Sequence, residues 1–246
     1  MGIEIVTAVS ENLWDDYMLF YRSLSVVKDA HLHVVGINLS NNYRRWIEAQ
    51  DVSLTLIETT LEECRWLKPR FIRQIGDNDL RLWIDVDTII VTTLFELIEK
   101  AEKQFTVFYD AFSPQTAKNN PLLYKEFQVT EPTLVINSGV IGCHRKRDAA
   151  ILKQWDENSR LIQTDERLRK LTAYDDQGCL LLAMQQLGML EPRMSHAHPD
   201  ISWNYPAKRN NYGRCDLIRA AINDNPLARI IHYAGRPKLS ELGKLE

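Results

Sequence analysis

The 246-residue sequence has no long apolar run, no surplus of basic residues and no paired cysteine motif. No run of apolar residues approaches the roughly 20 needed to cross a bilayer, and no cationic start precedes an apolar signal segment. The formal net charge of −3 argues against a general nucleic-acid binder, which normally has a basic surplus. The four cysteines are widely spaced, which is typical of reduced thiols rather than of a disulfide framework. Together these absences predict a cytoplasmic protein without a transmembrane segment.

The chain also lacks a Gly-, Ser- or Pro-rich linker, an internal repeat and a low-complexity tract. Its length allows one large domain, and we therefore expect residues 1–246 to form a single domain. As far as Asp87, short β-branched runs alternate with stretches whose apolar residues have helical spacing. This alternation predicts an α/β fold in which helices flank a mainly parallel, Rossmann-like central sheet.

One apolar run, residues 82–84, is followed by two carboxylates, Asp85 and Asp87. We predict that this run is a buried strand, because the turn-like residues 76–79 precede it. In an open α/β sheet, ligands collect beyond the carboxyl ends of the strands, where both acids fall. Hard cations such as Mg²⁺ and Mn²⁺ take oxygen ligands and share them with substrate phosphates. The pair indicates a divalent metal holding a diphosphate; the alternative is a solvated turn, in which Asp is common.

A second group of candidate site residues lies near the carboxyl terminus, in the segment His232-Tyr-Ala-Gly235-Arg-Pro-Lys238. It offers a further metal ligand and groups that can bind a phosphate. A histidine at a strand end can complete an oxygen-rich metal site through an imidazole nitrogen. Gly235 allows the backbone to approach a phosphate closely, and Lys238 supplies a point charge. Taken singly, a packed core histidine and a surface lysine are the commoner outcomes. Combined with the two acids, the group predicts a site for a metal and a diphosphate.

The order of these groups resembles that of the family 8 retaining glycosyltransferases. These enzymes have the GT-A fold and use nucleotide sugars, most often UDP-sugars. Four landmarks, which span most of the chain, carry the resemblance: Asp85-Val-Asp87, Asn137-Ser-Gly139, Asp176-Gln177, and His232 with Gly235 and Lys238. The second landmark is expected to be an Asn-small-Gly turn set between apolar runs.

The resemblance implies a role for each landmark. It implies that the metal, Mn²⁺ or Mg²⁺, is held by Asp85, Asp87 and His232. It implies that the catalytic residues around the donor sugar are Asn137, Asp176 and Gln177. It implies that the nucleotide-sugar donor is bound by a wider set: Ala8, Ser10, Asn12, Lys68, Asp85, Ser138, Gly235 and Lys238.

The chemistry of these residue types agrees with the resemblance. When a nucleotide sugar loses its diphosphate, a divalent cation and Lys238 would stabilise the negative charge that develops. An amide or a carboxylate, such as those of Gln177 and Asp176, can support an oxocarbenium-like sugar carbon. Since Gln is a poor nucleophile, we favour attack by the acceptor on the same face, with the leaving phosphate as the base. The prediction is a metal-dependent transfer of a hexose to a saccharide or another hydroxyl acceptor.

The acceptor is the partner for which the sequence gives least guidance. Residues 192–214 are irregular in pattern and rich in aromatic and amide groups. Within them, Trp203, Asn204 and Tyr205 are candidate acceptor contacts, since aromatic faces suit the apolar side of a pyranose. The alternative is that the aromatic residues anchor a loop by packing on the domain.

Three other classes of protein compete with this prediction. A phosphatase of the haloacid dehalogenase type needs Thr or Val where Ile89 stands. It also needs a later acid pair straight after an apolar strand, whereas Asp175 and Asp176 begin a predicted helix. A sugar nucleotidyltransferase needs a Gly-rich basic loop after the first strand, and the sequence has none there. A non-catalytic carbohydrate-binding protein on the same fold is expected to have lost a metal ligand, and none is missing.

Overall fold

The computed structural model describes residues 2–27, 30–110, 118–190, 197–198, 203, 205–206 and 228–233. Its α-helices in these ranges are α1 (Trp14–Ser23), α2 (Asn41–Glu48), α3 (Leu61–Gln74), α4 (Phe95–Lys103), α5 (Pro121–Glu126), α6 (Ala149–Thr164), α7 (Glu166–Leu171) and α8 (Asp176–Gln186). Its strands are β1 (Ile3–Ser10), β2 (Ala30–Ile37), β3 (Ser53–Ile57), β4 (Leu80–Ile84), β5 (Thr88–Ile90), β6 (Thr106–Tyr109), β7 (Ile136–His144), β8 (Ala197–His198), β9 (Tyr205–Pro206) and β10 (Ile230–His232). Among the described residues, no helix combines the length and the apolar composition that crossing a bilayer requires.

Seven strands form the main sheet in the order β3-β2-β1-β4-β7-β6-β8. Strands β3, β2, β1 and β4 are parallel to one another, and β8 is parallel to β6. Strand β7 is antiparallel to both of its neighbours, so it is the one strand of this sheet that runs against the others. The predicted α/β fold with a mainly parallel sheet is confirmed. Strand β4, which ends just before Asp85, has three strands on either side.

Two buried apolar clusters cover the two faces of this sheet. One cluster lies against α3, α6 and α8 and includes Trp83 of β4. The other lies against α1, α2 and α4 and includes Leu82 and Ile84. Because side chains alternate along a strand, Asp85 follows Trp83 on the side of α3 and α8.

A buried arginine fixes the start of β4. Arg81 is fully buried, and its guanidinium donates hydrogen bonds to the carbonyl oxygens of Ile72, Ile75, Gly76 and Asn78. These carbonyls belong to the end of α3 and to the connection that follows it. Such a planar, always-charged group can satisfy several carbonyls at once. The connection from α3 to β4 is thereby tied to the strand that leads to the acids.

Helix α3 begins with a capping box and continues through a proline. The hydroxyl of Thr60 accepts a hydrogen bond from the N–H of Glu63 at 3.0 Å, and the Glu63 carboxylate accepts one from the N–H of Thr60 at 3.1 Å. Pro69, a residue type that usually starts, breaks or kinks a helix, lies inside this 14-residue helix. It removes one backbone hydrogen bond, and the packing of α3 against α6 and the sheet outweighs that loss.

The turn expected at residues 137–139 is wrong, since these residues belong to strand β7. Val107 of β6 pairs with Ile141 of β7, but the next residue of β6, Phe108, pairs with Asn137 of β7. The residues of β7 between these two positions have no partner on β6 and form a bulge. On the other side, Val140 pairs with Ile84 of β4 and the carbonyl of Gly139 accepts from the N–H of Asp85. The N–H groups of Ser138 and Gly139 donate to the side chains of Gln177 and Asn137, so the bulge keeps its backbone hydrogen bonds.

The second sheet, in the order β5-β10-β9, brings the chain's late residues to the acids. Strands β5 and β10 are antiparallel, with His232 opposite Thr88. Since Thr88 directly follows Asp87, this pairing carries the histidine to the carboxyl edge of β4.

Candidate functional site

Three residues predicted to bind a metal meet at the carboxyl edge of β4. Asp85, Asp87 and His232 each offer a ligand atom, and these atoms lie within 4.8 Å of one another. His232 Nε2 is 3.2 Å from Asp87 Oδ1. Two carboxylates and one imidazole are donors that suit a divalent cation such as Mn²⁺ or Mg²⁺.

Asp87 and His232 also form an ion pair. Burial disfavours the charged imidazolium, but the carboxylates of Asp87 and Asp85 outweigh burial and raise the pKa of His232. Burial likewise disfavours the charged Asp87, but the nearby His232 outweighs it and lowers the pKa of that carboxyl. The imidazole is 3 % exposed and the Asp87 side chain 29 % exposed, so the histidine is sheltered from water while the carboxylate stays partly accessible.

Gly139 is required where the bulge of β7 passes the histidine. A Cβ atom at this position would overlap His232 Cε1 and lie 2.7 Å from its Nδ1. The N–H of Gly139 donates to Asn137 Oδ1 at 2.8 Å, and its carbonyl accepts from the N–H of Asp85 at 2.8 Å. The bulge is therefore tied directly to the metal-binding candidates, and only glycine allows this approach.

Lys68 joins the carboxylate of β4 to that of α8. Its Nζ lies 2.7 Å from Asp176 Oδ2 and 3.1 Å from Asp85 Oδ1, and it donates to the carbonyl oxygen of Ser138 at 3.2 Å. The Ser138 hydroxyl donates to Asp176 Oδ2 at 2.7 Å. Burial disfavours the ammonium, but Asp176 and Asp85 outweigh it and raise the pKa of Lys68. Three separate elements are thus held together by one buried cation.

Asp176 and Gln177 open helix α8 directly after a strained backbone segment. Tyr174 and Asp175 have φ angles of 45° and 44°, in the left-handed region that costs non-glycine residues free energy. The amide of Gln177 donates to Asp110 Oδ2 at 3.1 Å, and its oxygen accepts from the N–H of Ser138 at 3.4 Å. The orientation of this amide is therefore set by its neighbours.

Asp110 was missed by the sequence analysis. It is buried and directly follows β6, in the same relation to its strand as Asp85 to β4. An acid straight after an apolar strand was the signal that identified Asp85, and the same signal would have identified Asp110.

Three of the residues predicted to bind the donor, Ala8, Ser10 and Asn12, lie at the same edge of the sheet, on β1 and the turn after it. Ala8 and Ser10 belong to β1, and the Ser10 hydroxyl donates to Asn12 Oδ1 at 2.6 Å. Strand β1 is the direct neighbour of β4. These residues are therefore one strand away from the acids.

Other predicted site residues are placed less fully. Gly235, Lys238 and Asn204 lie outside the described residues. Tyr205 begins β9, next to β10. Trp203 is fully buried, with the Arg229 guanidinium 4.8 Å from the centre of its ring. That burial favours the alternative in which Trp203 anchors a loop.

Comparisons with known proteins identify the fold. No protein-family profile matches the chain, and no curated protein sequence matches it. The bifunctional glycosyltransferase WbbM superposes with a TM-score of 0.68 at 14% identity, over 96% of this chain and 46% of WbbM. The glycosyltransferase GlyE of Streptococcus pneumoniae superposes with a TM-score of 0.61 at 15% identity, over 97% of this chain and 56% of GlyE. The galactosyltransferase LgtC superposes with a TM-score of 0.65 at 13% identity, over 98% of this chain and 94% of LgtC.

The chain therefore spans about half the length of WbbM and GlyE and nearly all of LgtC. These likenesses show that it has the GT-A fold of these glycosyltransferases.

Proposed function

We propose that this protein is a metal-dependent, retaining glycosyltransferase similar to those of family 8. It moves a hexose from a nucleotide sugar, by resemblance a UDP-sugar, to a saccharide or another hydroxyl acceptor. The observation that carries the proposal is the meeting of Asp85, Asp87 and His232 at the end of the central strand of a GT-A fold. The likeness to LgtC, whose structure holds donor and acceptor sugar analogues, supports it over nearly the full length of that chain.

The metal half of the site would act on the leaving group. A bound divalent cation supplies positive charge that stabilises the diphosphate as it departs. Asp85, Asp87 and His232 would hold the cation, and the imidazole nitrogen favours Mn²⁺ over Mg²⁺, which prefers oxygen ligands alone. Gly235 and Lys238, which follow His232 closely in sequence, are proposed to bind the same diphosphate.

The sugar half of the site would act on the reacting carbon. Asn137, Asp176 and Gln177 would line the hexose, with the carboxylate and the amides available to its hydroxyls. Asp176 Oδ2 lies 2.7 Å from both the Lys68 ammonium and the Ser138 hydroxyl. Because hydrogen bonding to the charged form makes a carboxylate a weaker nucleophile, this arrangement supports attack by the acceptor on the same face.

A thermal-shift experiment tests the proposal. A nucleotide sugar at about 100-fold its Kd should raise the Tm by roughly 5–10 °C in the presence of Mn²⁺, because it binds only the folded state. With EDTA in place of Mn²⁺ the shift should disappear. A panel of nucleotide sugars and simple sugar phosphates separates a glycosyltransferase from a phosphatase. If no nucleotide sugar shifts the Tm with Mn²⁺ present, the proposed function is wrong.

Substituting Gln177 by Ala should lower the transfer rate without weakening nucleoside diphosphate binding. Because Gln177 is proposed to line the donor sugar, its loss should remove a contact to the reacting carbon, costing on the order of a hundredfold in kcat. Calorimetric titration with the nucleoside diphosphate and a transfer assay measure the two effects. Gln186→Ala, at the far end of α8, is the matched control and should keep the parent rate. Loss of diphosphate affinity in Gln177→Ala would contradict the proposed orientation of the donor.

A further inference from the structure

We infer that Trp83 is a positioning residue that, together with Lys68, makes Asp85 bind its cation through one oxygen only. The inference rests on the proposed metal site and assigns a role to a residue outside the ligand set. The indole Nε1–H of Trp83 donates to Asp85 Oδ1 at 2.6 Å. The ammonium of Lys68 donates to the same oxygen at 3.1 Å.

The lone pairs of the carboxylate decide which oxygen is left for a metal. An ionised carboxylate has about four acceptor positions, two on each oxygen. The two donors occupy both positions on Oδ1, and both bonds are strengthened by the charge of the acceptor. Oδ2 is therefore the oxygen that remains for a cation shared with Asp87 and His232.

The indole is held firmly enough to impose this choice. Trp83 is 3 % exposed, and the ring of Phe71 is stacked on it at 6.4 Å between centroids. The Lys68 ammonium lies 5.2 Å from the centre of the indole ring, within the range of a cation–π contact. Turning the indole away would require movement of both neighbours.

The backbone of Asp85 is fixed as well. Its N–H donates to the carbonyl of Gly139 at 2.8 Å, and its carbonyl accepts from the Thr88 hydroxyl at 2.8 Å. With the main chain and Oδ1 both held, the carboxylate cannot rotate to present two oxygens without breaking hydrogen bonds.

A one-oxygen ligand has a consequence for the choice of cation. Ca²⁺ takes six to eight oxygen ligands and commonly uses carboxylates in a bidentate manner, whereas smaller cations need fewer ligands in stricter geometry. Holding Asp85 to a single oxygen therefore favours Mn²⁺ or Mg²⁺ over Ca²⁺. Trp83 would set this preference without touching the metal.

The test is to remove the donor of Trp83 and to titrate the protein with Mn²⁺ alone and with Ca²⁺ alone, by calorimetry. Trp83→Phe should lower the Mn²⁺ affinity by about tenfold, as expected for the loss of a group that orients a ligand. The Ca²⁺ affinity should fall less or rise, because the freed oxygen permits bidentate binding. Trp66→Phe is the matched control: Trp66 is also buried, and its N–H makes no hydrogen bond among the described residues.

A second replacement removes the effect of lost ring volume. Substituting Trp83 by 3-benzothienylalanine keeps the bicyclic ring but puts sulfur in place of the N–H, and the same change in cation preference is expected. Parent-like affinities for Mn²⁺ and Ca²⁺ in both variants would overturn the inference and leave the proposed function intact. An equal loss of affinity for the two cations would have the same consequence. Absence of Mn²⁺ binding by the parent protein would instead overturn the metal site, and this inference with it.

Discussion

Replacing Asp87 by Ala should abolish the Mn²⁺-dependent binding of a nucleotide sugar while leaving the Tm close to that of the parent. Asp87 supplies one of three candidate ligand atoms and lies in the turn after β4, with its side chain 29 % exposed. Removing a ligand should weaken Mn²⁺ binding by at least the roughly hundredfold that loss of a supporting residue can cause. His232 loses its carboxylate partner but can remain buried as a neutral imidazole, so the fold should persist. Calorimetry with Mn²⁺ and thermal unfolding measure the two quantities.

The control for Asp87 is an acid at the opposite end of the same strand. Asp79 precedes β4 and is paired with Arg145 and Lys146 rather than with the metal candidates. Asp79→Ala should keep the Mn²⁺ affinity of the parent. If Asp87→Ala binds Mn²⁺ and donor as the parent does, the ligand set proposed here is incorrect.

Replacing Lys68 by Met should destabilise the protein by about 3 kcal/mol, since it leaves carboxylates without their shared counter-charge. Lys68 is 6 % exposed and lies 2.7 Å from Asp176 Oδ2 and 3.1 Å from Asp85 Oδ1. Asp176 is buried and Asp85 is partly exposed, and removing the partner of a buried charge costs far more than losing a surface ion pair. Chemical unfolding of parent and variant measures the difference in free energy of unfolding.

Two further variants test whether the loss of stability in Lys68→Met comes from the unpaired carboxylates. Lys68→Met combined with Asp176→Asn should recover part of the stability, because one unpaired carboxylate has become neutral. Lys153→Met removes an exposed lysine from a pair with Glu157 on α6 and should change stability by less than about 0.5 kcal/mol. An unfolding midpoint of Lys68→Met equal to that of the parent would show that Lys68 is not needed to balance these acids.

The fold and the metal candidates could be predicted because their signals are local in sequence. Apolar runs that alternate with helical spacing predicted the parallel sheet, and acids just past an apolar run predicted the carboxyl edge of β4. His232 was identified in the same manner, at the end of the last apolar run. These predictions depend on which residues end a strand, and strand ends share one edge in a parallel sheet.

The missed features depend on contacts between distant segments. The bulge of β7 was read as a turn because its pairing with β4 and β6 is not encoded in residues 137–139. Trp83 was read as a strand residue alone, since its hydrogen bond to Asp85 depends on ring orientation. Lys68 was predicted to contact the donor, and that role stays a prediction. All three N–H groups of its ammonium have partners within the protein, namely Asp176, Asp85 and Ser138.

The reversed direction of β7 determines at which edge of the sheet the connection between β6 and β7 lies. Because β6 runs with β4 and β7 runs against it, the connection between them leaves and re-enters the sheet at the edge that carries the acids. The opposite edge holds the Arg81 network, which ties α3 to β4. The candidate site and the Arg81 network thus lie at opposite edges of the sheet, and the Lys68 ion pairs stabilise the edge that carries the candidate site. Substitutions at exposed residues of this connection, such as Leu122, are therefore expected to act at the edge that carries the acids and to leave the Arg81 network intact.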